Sequence, residues 1–578
     1  MESHTVAPAK GPNPPAAQQR RDAALSRMMT EPFDLLVVGG GITGAGVARD
    51  AAMRGLKVAL VERADYAFGT SSRSSKLVHG GLRYLENLEF GLVFEALRER
   101  AVQRRLNPHL VWPLPFVFPV YKGHRNRLWK IRLGLWLYDL LSAFRNYRWH
   151  RRLKKAQTLE HVPSLLSDGL MGSVRYYDCR TDDARLTLGN VLDAARAGAC
   201  TANYVSFDEP LYDGDRVVGA QLTDRLTGDS AAMTCKHIVF CGGPWTDLLK
   251  GAPGDGHLLR PTKGVHIVVD RERLPLDDAI VMNAHQDGRV VFAVPFFNAT
   301  YIGTTDTDFD GDFDSVRATA DDVSYLLETA NYHFPGIALQ GEDVWSTWAG
   351  VRPLIRSDEA SPGKTSREHQ LYSDPKGITT IAGGKLTTYR AMAEEVVDSA
   401  LAQLKEAHGV TAGPCTTHRV PLDPNLPAEI DPVTGPADPT QRHLWRHFGS
   451  GAAWVQARWA SHPEEASVLA EGLPYTLAEI SYTVLHEQAE RLEDAFVRRL
   501  QLFFRDPDQG LSCAERVARH MAALLGHNEA WVAAEVEAYS SDVERSRLGA
   551  HALSAHQRTT DEGVEDGASG QRDRLTAS

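Results

Sequence analysis

The residues best suited to chemistry open with "VVGGGITGAGVARDAAMRGL", which sets Gly39, Gly41 and Gly44 between an apolar run, Leu35 to Val38, and a stretch of small residues. Gly39 permits a tight turn, Gly41 lets a pyrophosphate approach the backbone, and Gly44 lets helix and strand pack closely. The free N–H groups of the helix start then face the phosphates, and Thr43 lies in the same turn. Glu62 ends a second apolar run and is placed to accept hydrogen bonds from the adenosine ribose. This pattern predicts a dinucleotide site; a glycine-rich turn beside a structural Glu is the plainer alternative.

NAD and FAD share that fingerprint, so the choice rests on residues farther along. After Cys235, "KHIVFCGGPWTD" reads as a buried strand entering a second glycine turn, with Gly242, Gly243 and Trp245 near the same nucleotide. At Ile381, "ITTIAGGKLTTYRAMAEEVVDSAL" reads as a strand, a turn at Gly383 and Gly384, and a helix whose first turn carries Leu386 and Thr387. A second helix N-terminus aimed at a ligand suits the pyrimidine edge of a reduced flavin, which carries negative charge. FAD is the expected cofactor, although "GGKLTTYR" alone also fits a capped surface helix.

Six segments in this order, "VVGGGITGAGVARDAAMRGL", "SSRSSKLVHGGLRYLE", "TKGVHIVV", "IGTTDTD", "AGVRPL" and "AGGKLTTYR", resemble the FAD-dependent glycerol-3-phosphate dehydrogenases. The likeness is close from Pro32 to Leu404 and looser beyond. Thr43 stands where the family often has Asn, and Val265 where a small residue is common. The resemblance implies oxidation of sn-glycerol 3-phosphate to dihydroxyacetone phosphate by hydride transfer from C2 to flavin N5, with electrons passed to membrane quinone. It also implies that Arg83, Arg352, Arg367 and Lys385 form a pocket for the phosphate dianion with Tyr84 beside it, and that Thr70, Ser71, Ser74 and Ser75 face the FAD along its pyrophosphate and ribityl chain. Guanidinium groups suit a phosphate because their donors are paired and planar.

Arg352 precedes Pro353 in the apolar "WAGVRPLI", where an unpaired charge would be costly, which favours a ligand there. Arg83 has a second reading, as a surface arginine pairing with Glu86, and Arg367 another, as a solvated loop residue. The alcohol proton must also leave C2. His266, in a β-rich apolar run, is the candidate base, with Arg352 and Lys385 as its catalytic companions; a buried structural histidine is the alternative. Asp306 and Asp308 could orient or replace that base, and His79 is expected beside the flavin. An oxidase passing electrons to oxygen, or an FAD-binding adaptor without activity, remain the competing functions.

These residues require an α/β frame: a Rossmann-like FAD-binding domain with an inserted antiparallel-sheet substrate domain and a C-terminal all-α cap domain. The expected bounds are a disordered arm over 1–31, a discontinuous FAD domain over 32–404 (about 32–115, 180–255 and 345–404), and substrate insertions at about 116–179 and 256–344. A Pro-rich linker over 405–437, a helical domain over 438–548 and a disordered tail over 549–578 complete the chain. Arg498 and Arg499 in the helical part could face the FAD unit or solvent.

Composition bounds the rest. With 63 Lys and Arg against 74 Asp and Glu, the chain is acidic, which argues against general nucleic-acid binding. Six scattered cysteines, without CxxC pairs or clustered histidines, suggest a reduced, cytoplasmic protein without a metal. The segment His124 to Lys155 is the exception: dense in Arg, Lys and Trp around a short apolar centre, it suits an interfacial helix on anionic lipid at the cytoplasmic face of the membrane. A basic helix packed on the body is the alternative, and a homo-oligomer is compatible with all of this.

Overall fold

The computed structural model describes residues 17–572 apart from 82–88, 124–127, 143–145, 254–257, 357–367, 428 and 432. Arg83, Tyr84 and Arg367 therefore lie outside the described residues.

The strand Phe33–Val38 is buried almost throughout because it is the inner strand of a parallel sheet covered on both faces. It lies between Val58–Val61 and Ser230–Phe240; Ile378–Gly383 follows beyond the latter and His369–Asp374 closes that edge antiparallel. Register does the positioning. Val38 is level with both Val61 and Phe240, so the turn at Gly39 and the turn at Gly242 leave the sheet side by side. Phe240 is level with Thr380, which brings the turn at Gly383 to the same end. Ligands of open α/β sheets collect at such strand ends.

A second sheet of ten strands stands over that end, running from Thr307–Asp308 through Leu259–Asp270, Ala299–Gly303, Val290–Phe296, Ala279–Asn283, Val111–Tyr121 and Leu170–Thr181 to Leu77–Val78. It is antiparallel except where Ala279–Asn283 runs parallel to Val111–Tyr121. Val344–Ile355, expected in the FAD unit from 345 onward, instead pairs along Leu259–Asp270 and belongs to this sheet. Its apolar pattern fits either sheet, and only the partner strand decides.

The C-terminal helices Pro439–Phe448, Ala452–Ser461, Leu477–Glu487 and Leu511–Leu525 form the cap. They share one core with the second sheet, in which Phe116, Tyr176, Phe296 and Trp348 pack with Leu444, Phe496 and Phe504. Two expected tails are ordered in part. The helix Ala17–Thr30 buries Met28 and anchors Arg21 on Asn203 O and Asp224. The helix Glu529–Arg572 runs through the expected end at 548, burying Ala550 and Ser554 against the second sheet and its neighbouring helix. Apolar faces that dock late in the chain carry little local signal, which is why composition alone misassigned both.

Candidate active site

One elongated cavity joins the sheet end to the second sheet. Among its lining residues are Gly39, Gly41, Thr43, Glu62, Thr70, Ser71, Ser74, Ser75, His79, Gly242, Gly243, Trp245, Gly383, Gly384, Lys385, Leu386 and Thr387, and also His266 and Arg352. Gly44 works from behind: a Cβ there would stand 1.9 Å from Gly39 O, so its role is helix–strand packing. The Glu62 carboxylate accepts from Gly40 N at 2.7 Å and Ala64 N at 2.9 Å, and burial raises its pKa. Gly39 has φ +109°, and a Cβ on it would reach 2.5 Å from Cys241 O, so a side chain there would break the crossing of the two turns.

The hydroxyls expected to face a cofactor have partners inside the protein. Thr70 Oγ1 donates to Val351 O at 2.5 Å, Ser71 Oγ accepts from Ile42 N at 2.9 Å, Ser74 Oγ donates to Asp183 Oδ2 at 2.7 Å, and Ser75 Oγ meets His266 Nε2 at 2.8 Å. This loop joins two sheets, so its hydroxyls bind the protein first and reach the cavity by their remaining surface. Thr387 Oγ1 accepts from His79 N at 3.2 Å, tying the third glycine turn to the same loop.

At the far end Arg352 and His266 stand on neighbouring strands. Arg352 donates to Thr304 Oγ1 at 2.9 Å and Thr305 O at 3.2 Å and lies 3.1 Å from Asp306 Oδ1, so Asp306 orients the guanidinium; Asp308 instead pairs outward with Arg260 at 2.7 Å. His266 is buried and stacked on Trp348, with ring centroids 4.6 Å apart and planes at 11°. Burial first, then the charges of Arg352 and Lys76, holds its pKa well below the ordinary range.

Sequence reasoning missed what makes room for these side chains. A Cβ on Gly264 would stand 2.2 Å from the Arg352 guanidinium, one on Gly303 would stand 2.1 Å from the His266 ring, and one on Gly350 would stand 2.7 Å from Arg73 O. Glycine inside a strand signals close approach, and that signal was present in "KGVH", "YIGT" and "WAGV". Also missed were Lys76 and Asp183, a fully buried pair at 2.7 Å beneath the hydroxyl loop, and Trp348.

The residues at the strand ends fit a dinucleotide with a flavin: three glycine turns converge at one end of the cavity, and a cation beside a histidine waits at the other. Residues 34–397 match the model of the FAD dependent oxidoreductase family, and residues 415–532 match that of the C-terminal domain of alpha-glycerophosphate oxidase. The fold and site are thus those of an FAD-dependent oxidoreductase. The chain is 35% identical to the aerobic glycerol-3-phosphate dehydrogenase of Staphylococcus aureus (strain USA300) over 548 residues, covering 91% of this chain and 96% of that one. The crystal structure of the glycerol-3-phosphate dehydrogenase from Bacillus halodurans complexed with FAD superposes with a TM-score of 0.74 at 34% identity, covering 92% of this chain and 98% of that one. L-alpha-Glycerophosphate oxidase from Mycoplasma pneumoniae, at 18% identity and a TM-score of 0.51 over 67% of this chain and 97% of its own, shares the fold. The chain belongs to the aerobic glycerol-3-phosphate dehydrogenases, which use FAD.

Proposed function

We propose that the protein oxidises sn-glycerol 3-phosphate to dihydroxyacetone phosphate and delivers the electrons to a membrane quinone. A flavin held by the three glycine turns would supply the hydride acceptor, at N5, for the hydrogen of C2. The observation that carries the reading is the placement of Arg352 and Lys385 in the wall of the same cavity as the glycine turns, with His266 beside Arg352. Arg352 binds the dianion through charge-assisted hydrogen bonds, each contributing about 1.5–3 kcal/mol. His266 accepts the alcohol proton, and the phosphate on Arg352 offsets one of the charges that hold this ring neutral. Arg83, Tyr84 and Arg367 complete the anion pocket in this reading.

Anaerobic stopped-flow absorbance tests it. Glycerol 3-phosphate is expected to bleach the oxidised flavin while glycerol and proline leave it unchanged; bleaching by either control and not by the phosphate ester would sink the assignment. Stoichiometric peroxide under air would replace quinone with oxygen as acceptor.

The helix Leu128–Leu141 supports the membrane part of the reading. Trp129, Leu133, Trp136 and Leu140 recur at helical spacing and are each more than half exposed, whereas Leu135, Tyr138 and Asp139 face inward and are buried. Trp149, with its ring centroid 5.7 Å from that of Trp136, extends the apolar patch, and the exposed Arg148, Arg151 and Arg152 lie close along the chain. Apolar rings flanked by arginines suit the headgroup boundary of anionic lipid. Among the described residues no helix is long and apolar enough to cross a membrane. Vesicles containing phosphatidylglycerol are expected to sediment the protein, and Leu133→Ser with Trp136→Ser to release it; equal sedimentation of the double variant would remove the patch from the model.

A further inference from the structure

His266 is the base of the proposed reaction and lines the cavity, but both of its ring nitrogens are constrained by the protein. Nδ1 is buried without a hydrogen-bond partner among the described residues, and Trp348 covers one ring face at 4.6 Å while the ring of Tyr301 stands edge-on at 5.8 Å. Nε2 is held by Ser75 Oγ at 2.8 Å. Ser75 itself lines the cavity. Among the described residues the hydrogen-bonded way out of the ring therefore passes through a hydroxyl.

The loop that carries that hydroxyl is held through Ser72, Ser74 and the backbone carbonyl of Ser75. Asp183 Oδ2 accepts from both Ser74 N at 3.0 Å and Ser74 Oγ at 2.7 Å, and its Oδ1 accepts from Lys76 Nζ at 2.7 Å. Lys76, in the left-handed region at φ +51°, also donates to Ser72 O at 3.0 Å. Trp348 Nε1 donates to Ser74 O at 3.1 Å and Tyr301 OH to Ser75 O at 2.6 Å. The two aromatic residues that enclose the imidazole are thus the same two that hold the backbone carbonyls of Ser74 and Ser75. A loop serving only as cofactor contact has no need of a fully buried ion pair beneath it, because an isolated pair of this kind seldom adds net stability.

We propose that Ser75 relays the substrate proton: its hydroxyl passes its own hydrogen to His266 Nε2 as it takes the hydrogen of the C2 alcohol, with Lys76 and Asp183 as positioning residues. The balance closes with the reading on which it rests. The C2–H bond breaks with its electron pair going to the bound flavin, the C2–O bond becomes the carbonyl, and the alcohol proton ends on His266, which carries its other hydrogen on Nδ1. The charged groups facing the ring are Arg352 and Lys76, with Asp306 and Asp183 behind them.

The test compares flavin reduction at saturating glycerol 3-phosphate, anaerobically and across pH, in wild type, Ser75→Ala, Ser75→Thr, His266→Asn and the Ser75→Ala/His266→Asn double variant. Calorimetric binding of glycerol 3-phosphate to the flavin-free proteins is the second readout. Loss of the relay is expected to slow reduction about 100-fold, the lower range for general acid–base contributions, and to abolish its acid limb. Ser75→Thr should recover most of the rate, the double variant should be no slower than His266→Asn, and binding should stay within about twofold of wild type. Wild-type rate and pH dependence in Ser75→Ala, with His266→Asn still slow, would overturn the relay and leave the base assignment standing. A fast His266→Asn would overturn the base assignment itself.

Discussion

Two arginine sites in the molecule differ in what surrounds them. Arg352 lines the cavity and lies 3.1 Å from the Asp306 carboxylate. Arg498 and Arg499, at the joint between cap and nucleotide unit, are 2% and 1% exposed and are closed in by acids. Asp65 accepts from Arg498 Nε at 2.7 Å and from both terminal nitrogens of Arg499 at 2.8 Å, while Glu493 and Asp494 take the rest of Arg498. Burial alone would raise the Asp65 pKa, but Arg499 and Arg498 hold it below the ordinary carboxylate range. An arginine that closes its accounts within the fold is structural, and one whose second face opens on a cavity is available to a ligand. The joint still touches function, because Asp65 follows Glu62 closely and Arg498 lies over the ring of Phe68, which lines the cavity.

The sharpest way to break this contrast is Arg352→Ala. Losing two charge-assisted bonds to phosphate, about 3–6 kcal/mol together, is expected to lower kcat/KM for glycerol 3-phosphate by roughly 100- to 10,000-fold, with unfolding temperature and flavin content unchanged. A loss of stability comparable to that of the joint would mean that Arg352 is structural too. Arg499→Ala should show the opposite pattern. It leaves Asp65 with a buried, partly unpaired charge, for which about 3–5 kcal/mol of stability is expected to be lost, read by denaturant unfolding and by flavin release. The fraction that keeps its flavin should turn over at nearly the wild-type rate.

Much of the nucleotide site was legible because glycine turns follow local backbone chemistry: Gly39, Gly242 and Gly383 sit on consecutive strand ends whose apolar runs are visible in the chain. The joint was not legible. Arg499 meets Asp65 across a separation of 434 residues, so nothing near either residue names the other. Arg352 lines the cavity, but its strand pairs in the second sheet and not in the FAD unit where it was expected, since an apolar strand carries no label for its partner. The strand glycines at 264, 303 and 350 were readable and unread; they mark where backbone gives way to Arg352, His266 and the Ser75 loop. The Ser75 loop shows the limit from the other side, since its composition announced a ligand while four of its hydroxyls bind the protein.

Within the cap, pH offers a subtler test. Glu479 is buried with His443 Nε2 at 2.8 Å from its carboxylate, and burial pushes its pKa up to about 8, against an ordinary value of 4.5. A carboxyl raised on folding stabilises the protonated native state. Its contribution is therefore fully present below about pH 4.5 and is lost as pH rises toward 8. Glu479→Gln should flatten the decline of unfolding free energy across that window without altering flavin binding. An unchanged slope would show that another group carries it.

The smallest effect belongs to a third kind of arginine, and it sets the scale for the other two. Arg519 pairs with Glu515 at 2.8 Å and Glu529 at 3.2 Å, yet all three side chains are more than half exposed. Water already solvates each charge, and holding long side chains together offsets the little that Coulomb attraction gains. Arg519→Gln is expected to leave stability, flavin content and turnover within experimental error. This variant matters because it separates the two ingredients of the contrast. If pairing alone decided an arginine's role, losing two partners here would register as it does at Arg499. Only if burial is required as well can Arg499 be costly to remove and Arg519 silent, while Arg352, partly buried in the cavity wall, is costly to catalysis and not to the fold.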